Sequence, residues 1–283
     1  MNEPTYLKTI PDHRAVETEI IRLKKCYPFL KVFPIGRSAL GRNIYAVSAG
    51  KRRKCGLYVG ATHGLEWLTS LVLLRFIGQV CEGLLGKGSL RGEALEKAIE
   101  RRGLCVVPVL NPDGVEIALK GNSAWQANAR GVDLNRNFAA GFDLAKEIAA
   151  QAGYTQPGPT RYGGPFPESE PETRAVVSFA KETDAARLYS FHSQGGQIFY
   201  SYGKHTPAQS HLMARLLAEA SGYAVSAPEP IAAHGGLKDW YIEAFRRPGF
   251  TIEIGKGQNP LPIEEFEPIY ARLFDMLAVS LII

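Results

Sequence analysis

The chain has 283 residues, 45% hydrophobic and 22% charged. That balance is ordinary for a globular protein and excludes disordered, collagen-like and coiled-coil chains. Its 33 basic and 28 acidic residues leave a formal net charge of +5, without the concentrated charge of a nucleic-acid binder. The densest basic run, Lys51-Arg52-Arg53-Lys54, lies between two strand-like runs and reads as a solvated turn. Cys26, Cys55, Cys81 and Cys105 form no Cys-x-x-Cys pair, so a thiolate zinc site is not expected. Scattered reduced thiols suit a cytosolic protein. Met1–His13 has no apolar core of the signal-peptide kind. The longest apolar stretch, Trp67–Val80, is short for a membrane span and carries Arg75.

In chain order, Asp12 caps a predicted helix running to about Tyr27, with Val16, Ile20, Ile21 and Leu23 as its apolar stripe. Short β-rich runs follow at Leu30–Pro34, Asn43–Ser48 and Gly56–Ala61, with Gly50 predicted to turn a hairpin. Glu66 to about Glu82 is apolar nearly all round, so a buried helix is expected. Gly92–Arg101 reads as a short exposed helix and Leu104–Leu110 as a strand buried on both faces. Asn111–Phe138 has little period and much Gly, Asn and Pro. After a short helix over Leu144–Gln151, Gly153–Pro171 reads as a long loop, of the kind that is functional or disordered. The remainder alternates. Helices are predicted over Glu170–Thr183, Ala208–Ser221, Leu237–Phe245 and Ile263–Val279, and strands over Leu188–Ser193, Ile198–Tyr202 and Phe250–Ile254. No repeat or low-complexity linker interrupts this order. It implies one α/β domain over residues 1–283, with a mixed sheet covered on both faces.

His63-Gly64-Leu65-Glu66 stands where a strand gives way to the buried helix. A His and a Glu three apart can share a face and offer nitrogen and oxygen to a borderline metal such as zinc. Taken alone, a capped helix start is the simpler reading. With 6 histidines and 28 acidic residues in the chain, about 0.6 chance matches to His-x-x-acid are expected. Context changes those odds. His192 ends the apolar strand Leu188–His192, and strand ends are where open α/β sheets place their sites. A His2Glu set leaves the fourth zinc position for water. Glu253 lies in a second apolar strand, where an acid is costly unless it is functional or paired, for example with Arg246 or Arg247. Asp133–Phe138 puts Arg136 between Asn135 and Asn137, a planar fork suited to a carboxylate, although a surface turn reads equally well. Asp133 is free to orient a metal-bound His.

Together these residues resemble the zinc metallocarboxypeptidase family. The resemblance runs in order through Gly60–Trp67, Asn111–Gly114, Asp133–Phe138, Phe191–Ser193, Gly235–Trp240 and Thr251–Glu253. It implies a three-layer α/β/α sandwich with a mixed eight-stranded sheet. It also implies one zinc held by His63, Glu66 and His192, with Glu253 as general base. Asn135 and Arg136 would hold the substrate's terminal carboxylate, Asp133 would buttress His63, and the Ser193–Gln194 peptide would be cis. More narrowly, Trp125–Asn135 and Ser169–Thr173 resemble the bacterial γ-D-glutamyl-diaminopimelate peptidases, or murein peptide amidases. The implied substrate is a muropeptide, cut between γ-D-glutamate and diaminopimelate in the cytoplasm.

The chain departs from the family pattern at two places. Gln126 stands where many members carry an Arg that polarises the scissile carbonyl, so Arg130 is the candidate to replace it. Ile231 stands where digestive members carry a mobile Tyr, leaving Tyr241 or a loop residue to cover the site. In the family, the residue two after the Gly-Gly pair lies at the base of the pocket beyond the cut. Here it is Lys238, a compact cation that would meet the distal carboxylate of diaminopimelate unless Asp239 pairs it. His234, beside Gly235-Gly236, could edge the cleft. Neither nucleic acid nor a membrane is an expected partner, and the sequence sets no oligomeric state. Three other activities fit the same residues. They are a carboxypeptidase on α-peptides with acidic ends, a zinc deacylase of N-acyl amino acids, and a catalytically inactive peptide-binding module. The presence of all four of His63, Glu66, His192 and Glu253 argues against the last.

Overall fold

The computed structural model of the chain describes residues 10–88, 90 and 92–283. Most of Met1–His13, where no signal-like segment is expected, therefore lies outside the described residues. The elements are α1 (His13–Cys26), β1 (Lys31–Arg37), β2 (Asn43–Ala49), β3 (Gly56–Val59), α2 (Leu68–Leu84), α3 (Glu93–Arg101), β4 (Leu104–Val107) and α4 (Pro112–Leu119). There follow α5 (Phe142–Gln151), α6 (Pro171–Thr183), β5 (Arg187–Ser193), β6 (Gln197–Phe199), α7 (Ser210–Ser221), β7 (Ala224–Val225), α8 (Leu237–Phe245), β8 (Gly249–Ile254) and α9 (Phe266–Ile282). The strands form one mixed eight-stranded sheet in the order β1-β2-β4-β3-β5-β8-β6-β7. Its centre, β4-β3-β5-β8, is all parallel.

Strand alternation sends successive side chains to opposite faces and so builds two cores. On one face Tyr58, Tyr189, Phe191 and Phe250 pack with α2 and α9 residues such as Phe76, Leu273 and Leu277. Tyr58 stacks on Tyr189 with ring centroids 4.7 Å apart. On the other face Leu57, Val59, Val107 and Leu188 pack with Val176 and Phe179 of α6 and Trp240 and Tyr241 of α8. The result is the expected three-layer α/β/α sandwich.

Several sequence expectations are corrected. Gly50 does not turn a hairpin, because β4 inserts between its flanking strands, antiparallel to β2 and parallel to β3. Its φ is +70°, and a Cβ there would meet the Ile99 carbonyl oxygen at 2.2 Å. Glycine is thus required for a close pass of α3. Ile21 is 64% exposed, and the buried stripe of α1 is Val16, Glu19, Ile20 and Leu23. The stretch after Leu110 holds the unforeseen helix α4, whose start carries an Asn111 cap on the Gly114 N–H and Pro112 in the first turn. The helical run Gly64–Leu84 is long and apolar enough to cross a membrane by length and composition, but 83% of its most apolar window is buried inside the protein. All four cysteines are free, and three of them are buried.

Candidate metal centre and active site

The carboxyl ends of β3, β5 and β8 bring together His63, Glu66, His192 and Glu253. After β3 the chain turns through His63 into a 3₁₀ turn, Gly64–Glu66, that leads into α2. This turn is fastened from outside. The Gly64 N–H donates to the Gln126 carbonyl at 3.0 Å and the Leu65 N–H to Trp125 at 2.9 Å. The fully buried Asn111 donates its amide to the Thr62 and Ala127 carbonyls at 3.1 and 3.0 Å. A Cβ on Gly64 would lie 2.3 Å from the Gly114 carbonyl oxygen, so only glycine allows this approach.

His63 Nδ1 lies 2.8 Å from Glu66 Oε1, and His192 Nδ1 lies 2.9 Å from Glu66 Oε2. The two Nδ1 atoms are 3.3 Å apart. One donor atom from each of the three buried residues lies within 4.8 Å of the others. A tetrahedral zinc with bonds of about 2.0–2.1 Å has ligand-to-ligand edges of about 3.3 Å. The imidazole-to-imidazole spacing matches that edge, the two imidazole-to-carboxylate spacings are shorter, and the donors are two imidazoles and one carboxylate. The residues therefore fit zinc.

The remaining ring nitrogens are oriented from behind. His63 Nε2 lies 3.2 Å from Asp133 Oδ1, as expected. His192 Nε2 lies 3.2 Å from Ser190 Oγ, a partner sequence reasoning missed. The signal was present, since residues two apart on a strand share a face. Asp133 is fixed in turn by the Asn135 and Arg161 N–H groups, both at 3.0 Å. Burial disfavours its charged form, but His63 and Arg136 outweigh that and hold its carboxyl well below the usual range. In the metal-free chain burial opposes protonation of His63, yet Glu66 and Asp133 outweigh it and raise the imidazole to about 10. Burial likewise works against the Glu66 carboxylate, and the two histidines outweigh it and bring the carboxyl to about 2.

Strand register places Glu253 directly beside His192. Its carboxylate has no hydrogen bond or ion pair among the described residues. The pairing with Arg246 or Arg247 weighed from the sequence does not occur, because Arg247 is 2.7 Å from Asp184 at the other end of the sheet. Burial, and then the Glu66 carboxylate, push the Glu253 carboxyl up to about 8 in the metal-free chain. A second unforeseen support follows His192. Ser193 Oγ donates to Asn259 Oδ1 at 2.8 Å, and Asn259 Nδ2 donates to the Ser193 carbonyl at 2.6 Å. The Ser193–Gln194 peptide is cis.

Asn135 and Arg136 sit in a 3₁₀ turn, Leu134–Arg136, beside this cluster. Asn135 Oδ1 accepts the Leu237 N–H at 3.0 Å, which leaves its amide nitrogen as a donor. Arg136 donates to the Asn135 carbonyl at 2.7 Å and forms no ion pair among the described residues. Other expected residues lie elsewhere or are engaged. Arg130 does not reach the centre. Its side chain is 56% exposed and lies 3.7 Å from Glu170, a buried acid that draws it away. Gln126 is bonded to the Thr160 hydroxyl. Tyr241 is fully buried in the α8 core, donates to the Ala185 carbonyl at 2.6 Å, and cannot cover the site. His234 Nδ1 lies 3.3 Å from the Tyr202 hydroxyl, at the edge of the Arg136 turn. Lys238 is buried and paired with Asp239, and also donates to the Ser201 carbonyl at 2.7 Å. Burial pushes the Asp239 carboxyl up, although Lys238 opposes it.

A His, Glu, His triad at the strand ends of a three-layer sandwich, with an unpaired acid alongside, defines a metal-dependent hydrolase. The chain belongs to the zinc carboxypeptidase family, whose description it matches over residues 16–275. Its cofactor is zinc, and it is a zinc metallopeptidase. A relative, γ-D-glutamyl-L-diamino acid endopeptidase 1 of Lysinibacillus sphaericus, is 32% identical over 95% of this chain and 72% of that protein. The crystal structure of thrombin-activatable fibrinolysis inhibitor superposes on 98% of this chain and 75% of its own, with a TM-score of 0.81 at 21% identity. A murein-tripeptide amidase from Escherichia coli O157 covers 88% of this chain and 91% of its own, with a TM-score of 0.57 at 24% identity. These two structures share the fold.

Proposed function

We propose that this peptidase hydrolyses the amide between γ-D-glutamate and diaminopimelate in cell-wall peptides, acting as one catalytic domain on wall fragments in the cytoplasm. The reading is carried by the 32% identity across 95% of the chain to an endopeptidase named for a γ-D-glutamyl-L-diamino acid bond. Four unpaired cysteines support the compartment. Zinc, when bound by His63, Glu66 and His192, lowers the pKa of a coordinated water and polarises a carbonyl. The protein's own groups do the rest. Glu253, unpaired and beside His192, takes a proton from the attacking water and delivers it to the leaving amine. Asn135 and Arg136 hold the free carboxylate next to the cut and fix the register of the substrate. Asp133 and Ser190 keep the two imidazoles aimed at the metal.

The test is hydrolysis of L-Ala-γ-D-Glu-diaminopimelate against its α-linked isomer, followed by mass analysis. Release of diaminopimelate from the γ-linked peptide, lost on chelation and restored by zinc, is the expected result. Cleavage of the α-linked peptide alone would instead favour an ordinary carboxypeptidase. Fractionation of the native host tests the cytoplasmic location.

A further inference from the structure

The four parallel strands begin at one level. Gly56 of β3 lies beside Leu104 of β4 and Arg187 of β5, and Leu188 of β5 lies beside Gly249 of β8. The connections that enter these strands are therefore neighbours in space, although they are far apart in sequence. Lys51-Arg52-Arg53-Lys54 leads into β3, Arg101-Arg102 into β4 and Arg246-Arg247 into β8, while Arg187 opens β5. The first of these turns passes under β4, since a Cβ on Gly103 would lie 1.7 Å from the Lys51 carbonyl oxygen. With strands about 4.8 Å apart, the row of four spans only about 15 Å. A basic run that reads from the sequence as an isolated solvated turn thus gains five further cations as neighbours.

The charge gathered here exceeds that of the chain. Residues 51–54, 100–103, 182–187 and 246–248 hold nine basic side chains and three acidic ones, Glu100, Glu182 and Asp184, a net of +6 against +5 for all 283 residues. Glu182 and Asp184 are engaged by Arg52 and Arg247. Lys51, Lys54, Arg101, Arg187 and Arg246 form no ion pair among the described residues. Helices α3, α6, α8 and α9 also end here, and Arg102 donates to the last carbonyls of α9. Each helix terminus carries about half a negative charge, so the four offset about two of the six. About four positive charges remain. Lys51 to Lys54, Arg101 and Arg246 are exposed, so this excess costs no desolvation and acts outward as a field. Spread over about 15 Å, with a Debye length of about 8 Å at physiological salt, these cations act together.

We propose that the amino end of the sheet docks the peptidase on an anionic lipid bilayer. Three observations favour a lipid surface over a nucleic acid. The cations lie in a layer across four strand ends, which matches a plane of headgroups better than the track of a single backbone. None of these segments carries an aromatic side chain on which a base could stack. Ile282, 50% exposed, stands at the rim beside Arg102, an apolar contact suited to the headgroup boundary. Arg187 and His192 are five residues apart on β5, about 17 Å along the strand, so docking leaves the zinc ligands turned away from the bilayer. The assignment is independent of which amide is cut. The sequence alone raises no expectation of a membrane partner, because a charge of +5 is modest when averaged over the chain. Folding concentrates it.

The test is co-flotation of the zinc-loaded protein with vesicles of phosphatidylglycerol and phosphatidylcholine, against vesicles of phosphatidylcholine alone. Binding to the anionic vesicles at about 0.1 M salt and its loss at about 1 M are expected, since the Debye length shrinks from about 10 Å to about 3 Å. The neutral vesicles should not bind. Each Lys or Arg near an anionic surface is worth about fivefold in affinity. The variant Lys51→Gln/Lys54→Gln/Arg101→Gln changes three exposed, unpaired side chains and should weaken binding by about 10²-fold, with zinc content and Tm unchanged. The variant Arg14→Gln/Arg37→Gln/Lys120→Gln removes the same charge away from this end and should weaken binding by less than about fivefold. No vesicle binding by the wild type, or equal losses in the two variants, would overturn the proposal. Duplex DNA that outcompetes the anionic vesicles at equal phosphate concentration would give the patch to nucleic acid and overturn it as well.

Discussion

The parallel strands β4, β3, β5 and β8 carry ionisable side chains at both ends, and the two ends treat charge in opposite ways. At the amino ends, Arg52 lies 2.7 Å from Glu182 with the two side chains 43% and 56% exposed, and Arg247 lies 2.7 Å from Asp184. Each has a partner and access to water. At the carboxyl ends Glu66, 3% exposed, is shared by two histidines, and Glu253 has no partner among the described residues. The residue types are similar, so type does not locate the site. A pair in water contributes about 0–1 kcal/mol, whereas an uncompensated buried charge costs several kcal/mol unless a ligand or a reaction uses it. Chemistry sits at the end of the sheet where charge is left over.

The strongest way to break this comparison is to remove the leftover charge. Glu253→Gln keeps the shape and deletes the proton acceptor. Activity should fall by about 10²–10⁴-fold, with zinc content and fold unchanged. The metal-free protein adds a pH test. There the Glu253 carboxyl is raised to about 8, so the folded chain binds this proton more tightly than the unfolded chain does. The stability it contributes is complete below the ordinary carboxyl range and is lost as pH rises toward about 8. The stability of metal-free Glu253→Gln relative to the metal-free parent should therefore grow between about pH 4.5 and 8 and then level off. A difference that is flat across this window would mean that Glu253 is not desolvated as described.

The two groups behind the histidines sharpen the comparison within the site. Asp133 and Ser190 stand at the same distance, 3.2 Å, from the outer nitrogens of His63 and His192. Only Asp133 carries charge. Asp133→Asn should weaken zinc binding by about 10–100-fold in competition with a chromogenic chelator, and Ser190→Ala by less. Equal losses would show that orientation alone matters and that the charge of Asp133 adds nothing.

What the sequence disclosed follows the same division. His63, Glu66 and His192 could be read because each sits where an apolar run begins or ends, and Glu253 because it interrupts one, and a polar group in such a place needs a reason. The layers were legible because strand and helix periods survive in the sequence. Distance along the chain hid the rest. The Asn259 clamp on Ser193 spans 66 residues, and the insertion of β4 between β2 and β3 is a tertiary choice that no local turn signal encodes. Arg130 was misplaced for a related reason. Its partner Glu170 is brought close only by the folded loop, and a buried carboxylate attracts an exposed guanidinium more strongly than a site out of reach. For Lys238 the sequence leaves two partners open, a substrate carboxylate or its neighbour Asp239, and burial of both side chains selects the pairing with Asp239.

The smallest expected effect is at the amino ends. Arg52 pairs with Glu182 in water and also lies 5.0 Å from the centre of the Phe33 ring. An exposed ion pair and an exposed cation–π contact each contribute no more than about 1 kcal/mol. Arg52→Ala should therefore lower Tm by only about 2–4 °C and leave kcat/KM and zinc affinity unchanged. Because the partners are solvated, high salt screens the ion pair, with a Debye length of about 3 Å at 1 M. The difference in Tm between parent and variant should shrink accordingly, down to whatever the Phe33 contact supplies. If Arg52→Ala instead reduced activity as much as Asp133→Asn, the amino ends would be coupled to the catalytic centre through the strands. The contrast between paired, solvated charge and a half-buried acid left without a partner would then no longer explain where the chemistry lies.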